Sequence, residues 1–224
     1  MNFVKKWMST IISFVAGVCG LALSATVGMK AYAAINASAL ESALGRDFSQ
    51  TVVDSSTKAF KVLTDSKLYT QAKDLGIGSE FMVMKVFAII TLVVSILLIV
   101  YALVMLLKNL NVIKCESKIF DIVGICLFVL LLVATIGLLV SSNAYANAME
   151  DAILQKTKAQ FTATLNYELT KAGMASMLET LVAQTKFVAD VKIGFYQPAM
   201  LVISIISALV YGTFTFLNMK KKDA

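Results

Sequence analysis

Hydrophobic positions along the chain gather into four near-continuous runs, separated by two long stretches of mixed character. The runs extend from Trp7 to Met29, Val86 to Leu107, Ile119 to Val140 and Ala199 to Leu217. Each reaches the roughly 20 apolar residues that a helix needs to cross the hydrocarbon core of a bilayer. The stretches between them, 30–85 and 141–197, are patterned instead of continuous. In the second, Ile153, Leu154, Phe161, Leu165, Leu169, Met177, Leu178, Leu181 and Val182 recur at helical spacing, and Gly173 is the only glycine between Ser141 and Lys192. That pattern predicts two helices with a break near Gly173. In the first, Ala37, Leu40, Ala43 and Leu44 are followed by Val52, Val53, Phe60, Val62 and Leu63, with turn signals at Gly45 and Gly76-Ile77-Gly78. It too predicts a helical hairpin, continuing from the end of the first run. Pro198 suits the first turn of the last run, where its missing N–H costs no bond.

The predicted fold class is therefore all-α: a polytopic integral membrane protein with four transmembrane helices and two extracytoplasmic helical hairpin loops. Residues 1–110 form a first half and 111–224 a second, joined by a short connector at 108–118.

Charge supplies the orientation. Lys5 and Lys6 precede the first run, Lys108 follows the second, Lys114 and Lys118 precede the third, and Lys220, Lys221 and Lys222 lie in the tail at 218–224. These short basic segments fall on one side, and the positive-inside rule makes that side cytoplasmic. Both termini are predicted inside, in a plasma or bacterial inner membrane, with the long stretches on the outer face. The net charge of +6 is thus accounted for by topology, and no nucleic-acid partner is implied.

A hydrophobic content of 58% agrees with membrane residence, since soluble domains hold roughly 45–50%. The chain has no histidine, which removes imidazole acid–base chemistry and most zinc or haem ligand sets. Its three cysteines, Cys19, Cys115 and Cys126, lie in or beside hydrophobic runs, away from the outer stretches where an oxidising compartment would pair them. No phosphate-binding glycine loop, no zinc-protease motif and no intramembrane pair of acids is present. No catalytic, cofactor-binding or metal-binding residues are assigned.

What the runs do offer is packing. Ala16, Gly20, Ser24 and Gly28 recur every fourth residue in the first run, and Ser204, Ala208 and Gly212 do so in the fourth. Stripes of small residues let helix backbones approach closely in lipid, so the first and fourth helices are expected to make the tightest contact. The hydroxyls of Thr91, Ser95, Thr135, Ser204 and Ser207 are expected to bond their own helix backbones. An offset of 109 residues also superposes Ala25-Thr26-Val27-Gly28 on Ala134-Thr135-Ile136-Gly137, alternate residues of 37–43 on 146–152, and Leu92–Ile96 on Leu201–Ile205. The match suggests a parallel internal duplication, one span–loop–span unit used twice.

Ala31-Tyr32-Ala33 resembles a signal-peptidase site, yet Ala144-Tyr145-Ala146 repeats it past the third run, where no signal peptide ends. The first run is accordingly expected to be a retained signal anchor whose helix continues outward through Tyr32. The functional expectation is a non-enzymatic scaffold or accessory subunit of a membrane complex. It would sit in the lipid bilayer and act through its outer loops on a membrane-protein partner or as a homo-oligomer. An oligomeric channel or transport subunit with a pore between protomers is the alternative, and a membrane-embedded enzyme a distant one.

Overall fold

The computed structural model describes residues 2–25, 27–38, 45, 49–60, 63, 66–113, 117–195, 202–203, 205–207 and 209–213. Helix α1 (Asn2–Ala25) leads into strand β1 (Val27–Asn36), and strand β2 (Gln50–Phe60) follows. Helices α2 (Ser66–Asp74), α3 (Gly78–Asn109) and α4 (Ser117–Lys171) come next, then a 3-10 turn (Ala175–Met177), helix α5 (Leu178–Gln184) and strand β3 (Lys186–Phe195). The described residues between 202 and 213 are helical.

The chain is mostly helical, and α1, α3 and α4 are long and apolar enough to cross a membrane. Of the fourth predicted span, 199–217, the described part is helical and the remainder lies outside the described residues. Helix α3 shows why these segments associate. Phe81, Met84, Ala88, Thr91, Ser95, Leu98, Tyr101 and Met105, spaced by three or four, are buried, while Val86, Val93, Val100 and Leu103 on other faces are about half exposed. That is a helix with one packed face and an apolar remainder suited to lipid. Helices α1 and α3 run antiparallel, with Asn109 Nδ2 donating to Thr10 Oγ1 at 3.0 Å near the ends of the pair. The bundle core joins Ala16, Val94, Leu98, Tyr101, Phe128, Leu131 and Tyr211.

The structure departs from the all-α expectation at a three-stranded antiparallel sheet of order β2-β1-β3. Residues 27–36 do not continue helix α1; they form the central strand. Ala31, Ala33 and Ile35 are buried and Tyr32 and Asn36 exposed, which is the alternation of a half-buried strand. The β-branched content of the neighbours, Thr51, Val52, Val53 and Thr57 in β2 and Val188, Val191 and Ile193 in β3, favours the same outcome. Neither loop is thus a simple helical hairpin. The first contains β1, β2 and α2, and the second contains the distal part of α4, then α5 and β3. Leu40, Ala43 and Leu44 lie outside the described residues.

The duplication finds no support in local structure at its first patch. Val27 and Gly28 begin β1, whereas Ile136 and Gly137 lie inside α4. Tyr32 is likewise in a strand and Tyr145 in a helix, so the two Ala-Tyr-Ala triplets adopt different conformations.

Helix α4 runs without interruption for 55 residues, on the order of 80 Å at about 1.5 Å per residue. It ends where the sequence predicted. Gly173 takes φ +75°, Gly173 N–H donates to Thr170 O at 3.1 Å, and Met174 N–H to Leu169 O at 2.8 Å. This bond pair closes a helix on a left-handed residue, which glycine adopts without steric cost. Gly76 (φ +77°) ends α2 in the same way, with Ile77 N–H donating to Ala72 O at 2.9 Å.

Two clusters join the sheet to the helices. Ala31 and Val191 of the sheet pack with Ala72, Ile77, Phe81, Met84, Leu138 and Tyr145. Farther along α4, Ile35 and Ala37 pack with Phe161, Leu165, Leu169 and Leu181. The sheet, α5 and the distal part of α4 thus form a module whose core is continuous with one end of the bundle.

Candidate functional site: a groove beside the sheet

Strand β3 packs closely on α4, but β2, on the far side of β1, stands away from it and leaves an open groove of about 690 Å³. The floor is apolar. Ile35, Phe161 and Leu165 are buried there, and Phe161 meets Phe187 edge-on with centroids 5.5 Å apart. One wall is a helix face, with Thr157, Gln160 and Thr164 at the three- and four-residue spacing that aligns side chains along α4. The other is Gln50, Thr51 and Val52 of β2.

That second wall depends on a bulge. Ala33 pairs with Val53 and the next residue, Ala34, with Thr51, so Val52 is extra. In a regular strand, consecutive side chains alternate between faces; a bulge breaks that alternation and re-aims side chains. All three consecutive residues consequently border the groove. A shallower depression of about 370 Å³ shares Ile35, Gln50 and Thr51 and continues to Tyr32, Asn36, Ser38 and Ser49. The segment near it is held by Ala37 N–H donating to Ser49 Oγ at 3.1 Å.

Among the described residues no ionisable side chain lines the larger groove; those that line it offer hydroxyls, amides and apolar surface. Thr164 Oγ1 donates to Gln160 O at 3.0 Å, the usual resort of a helical threonine. On β3 the ion pair of Lys192 with Asp190, at 3.1 Å, is exposed and contributes little to stability. Hydroxyls and amides above an apolar floor are the usual polar complement of a binding pocket. Among the described residues no group of three or more histidine, cysteine or acidic side chains converges on a metal position.

The small-residue stripes are placed as follows. Ala16 and Ser24 are fully buried, and Ser24 Oγ donates to Leu21 O at 2.8 Å. A Cβ on Gly20 would collide with Ser95 Oγ, and one on Gly17 would lie 2.7 Å from Ile99 Cγ1 and 2.9 Å from Ser95 O. The close approach of α1 is therefore to α3. Gly28 is not on this face; it lies in β1 between Ala59 and Gly194. Ser204 and Ala208 lie outside the described residues, and a Cβ on Gly212 would meet open space.

The fourth-residue rule passed over Gly17, although the pair Gly17 and Gly20 was visible as two glycines three apart. Thr91, Ser95 and Thr135 bond the carbonyls of Phe87, Thr91 and Leu131 at 2.8, 2.6 and 2.9 Å. These hydroxyls are satisfied within their own helices. The groove itself had no signature in the sequence, because it depends on strand order and a bulge.

Comparison of the chain with protein-family models, with curated proteins and with solved structures finds no match.

Proposed function

We propose that the protein is a non-enzymatic, multi-pass membrane scaffold or accessory subunit that presents its sheet module to a partner on the outer face of the membrane. The observation that carries this reading is the unbroken course of α4 from the bundle into the module. A span of about 20 residues accounts for less than half of such a helix, and the remainder forms a stalk. The stalk is braced by β1 and β3, which pair along ten residues each and pack against it. A surface held in this way keeps a fixed height and orientation relative to the membrane, as an assembly platform needs.

The proposed topology has four spans and cytoplasmic termini, in a plasma or bacterial inner membrane. The strand directions support it. Strand β1 runs on from α1 and is antiparallel to β3, so the chain leaving β3 heads back along the direction from which α1 came. The basic residues beside the spans fit the same orientation.

The packed bundle interior, with apolar contacts and self-satisfied hydroxyls, supports a structural role for the core of the bundle. Native mass spectrometry of the full chain from mild detergent is the test. A defined homo- or hetero-assembly is expected. A lone monomer under all gentle extraction conditions would overturn the scaffold reading.

A further inference from the structure

The two edges of the sheet are treated differently. On β3, Val191 N–H donates to Glu150 Oε2 of α4 at 3.4 Å, so an edge group is met by the helix. On β2, the outermost strand at the other side, the ladder is bulged twice, between the partners of Met29 and Ala31 and of Ala33 and Ala34. Bulges twist an edge away from regular pairing and discourage addition of a further strand. The accessible feature on this side is the groove between β2 and α4.

One residue in it differs from most of the other buried hydroxyls described. Thr157 is only 6% exposed and lines the groove, yet its hydroxyl has no hydrogen-bond partner among the described residues. Other buried hydroxyls, such as Thr91, Ser95, Thr135, Ser141, Ser142 and Thr185, return theirs to a carbonyl three or four residues back. Buried hydroxyls are ordinarily satisfied, and one left open beside a cavity marks the place where a ligand group completes the bond.

The chemistry of the walls narrows what that ligand is. The described lining residues include no cation and so provide no charge to hold a phosphate group. Phe161 stands about 30 Å along α4 from Val140, the end of the predicted span, beyond the reach of headgroups and acyl chains. The volume lies within the roughly 300–1,000 Å³ of ligand pockets. Thr51, Gln50, Gln160 and Thr164 supply donors and acceptors on both sides of an apolar floor, which matches the alternating C=O and N–H groups of a peptide backbone.

We propose that this groove binds a short uncharged peptide segment of a partner protein, with one apolar side chain over Ile35 and Phe161 and a backbone group completing the bond of Thr157. The assignment rests on the scaffold reading and names the chemistry of its partner.

The test uses the full chain in lipid nanodiscs and a panel of fluorescent heptapeptides. One set is built from Ser, Thr, Asn, Gln and Gly around a single Leu or Phe; matched sets carry Lys or Glu. Anisotropy is expected to show saturable binding within the uncharged set only. Thr157→Val should weaken it about tenfold without lowering the melting temperature, because it removes an unpaired hydroxyl at nearly constant shape. Thr164→Arg should abolish it. Absence of saturable binding, equal binding of the charged sets, or unchanged affinity in Thr157→Val would each overturn the proposal. So would a lowered melting temperature in Thr157→Val, which would mark the hydroxyl as structural. A chain that forms assemblies in native mass spectrometry yet binds no uncharged peptide sinks the groove assignment alone.

Discussion

The hydroxyls of Tyr101 and Tyr211 lie 2.6 Å apart, and Tyr101 Oη also donates to Phe120 O at 3.0 Å. One short chain of hydrogen bonds thereby ties α3, the first turn of α4 and the last helical stretch. The ring of Tyr211 stacks on Phe128 with centroids 4.3 Å apart, and it is buried. Gly124 makes room, since a Cβ there would collide with Tyr211 Oη and lie 2.6 Å from Tyr101 Oη.

From this cluster, Gly124→Ala is expected to destabilise more than Tyr211→Phe. The former forces two packed rings apart, which costs about 1–3 kcal/mol in an unyielding core. The latter removes one interhelical bond, worth about 0.6–2 kcal/mol in a membrane, while Tyr101 keeps Phe120 O. Unfolding by SDS titration in mixed micelles ranks the two, and the reverse order would show that the site yields freely around Gly124.

The seam between α1 and α3 gives a second contrast. Gly20→Leu places a branched side chain where Ser95 Oγ already stands, and a loss of about 1–3 kcal/mol is expected. Gly212→Leu projects into open space and should fall within about 0.5 kcal/mol of the parent. Equal effects in the same titration would mean that Gly212 also packs against a neighbour.

How far such features were legible follows from what sets them. The long apolar helices α1, α3 and α4 were legible because burial in lipid demands long apolar runs, and the break at Gly173 because a single glycine stood in a proline-free helical pattern. The sheet was not. The Ala-rich β1 sequence, Ala31-Tyr32-Ala33-Ala34, has small side chains that fit either period, and the strands that satisfy it come from residues 50–60 and 186–195. Local spacing of Val52, Val53 and Phe60 therefore read as helical, while the pairing that decides the matter is non-local. Thr157 was invisible for the same reason; its neighbours across the groove lie more than 100 residues earlier in the chain.

Gly173 itself offers a third test. In the left-handed conformation a side chain costs about 1–2 kcal/mol, so Gly173→Ala should lower the melting temperature of the module, with open space around it excluding a steric cause. Gly212→Ala, lying in a helix, should not destabilise. Differential scanning fluorimetry on both variants separates backbone strain from packing.

The register of β1 against β3 yields the most decisive prediction about the fold. Ala33 and Ala189 are direct partners, whereas Ala33 and Val191 are two positions out of step. Paired antiparallel residues have Cα atoms about 4.5–5.5 Å apart, within the span of a disulfide, and two-residue slips exceed it or strain it. In a background lacking the native cysteines, Ala33→Cys with Ala189→Cys should therefore oxidise to a single intramolecular crosslink under mild copper-phenanthroline treatment, while Ala33→Cys with Val191→Cys should not. The same sample settles the fate of Ala31-Tyr32-Ala33. Cleavage after Ala33 would remove α1 and seven of the ten residues of the central strand, leaving β2 and β3 without the partner that joins them. Intact mass is expected to show α1 retained, and a mature chain starting at Ala34 would overturn both the anchor and the sheet.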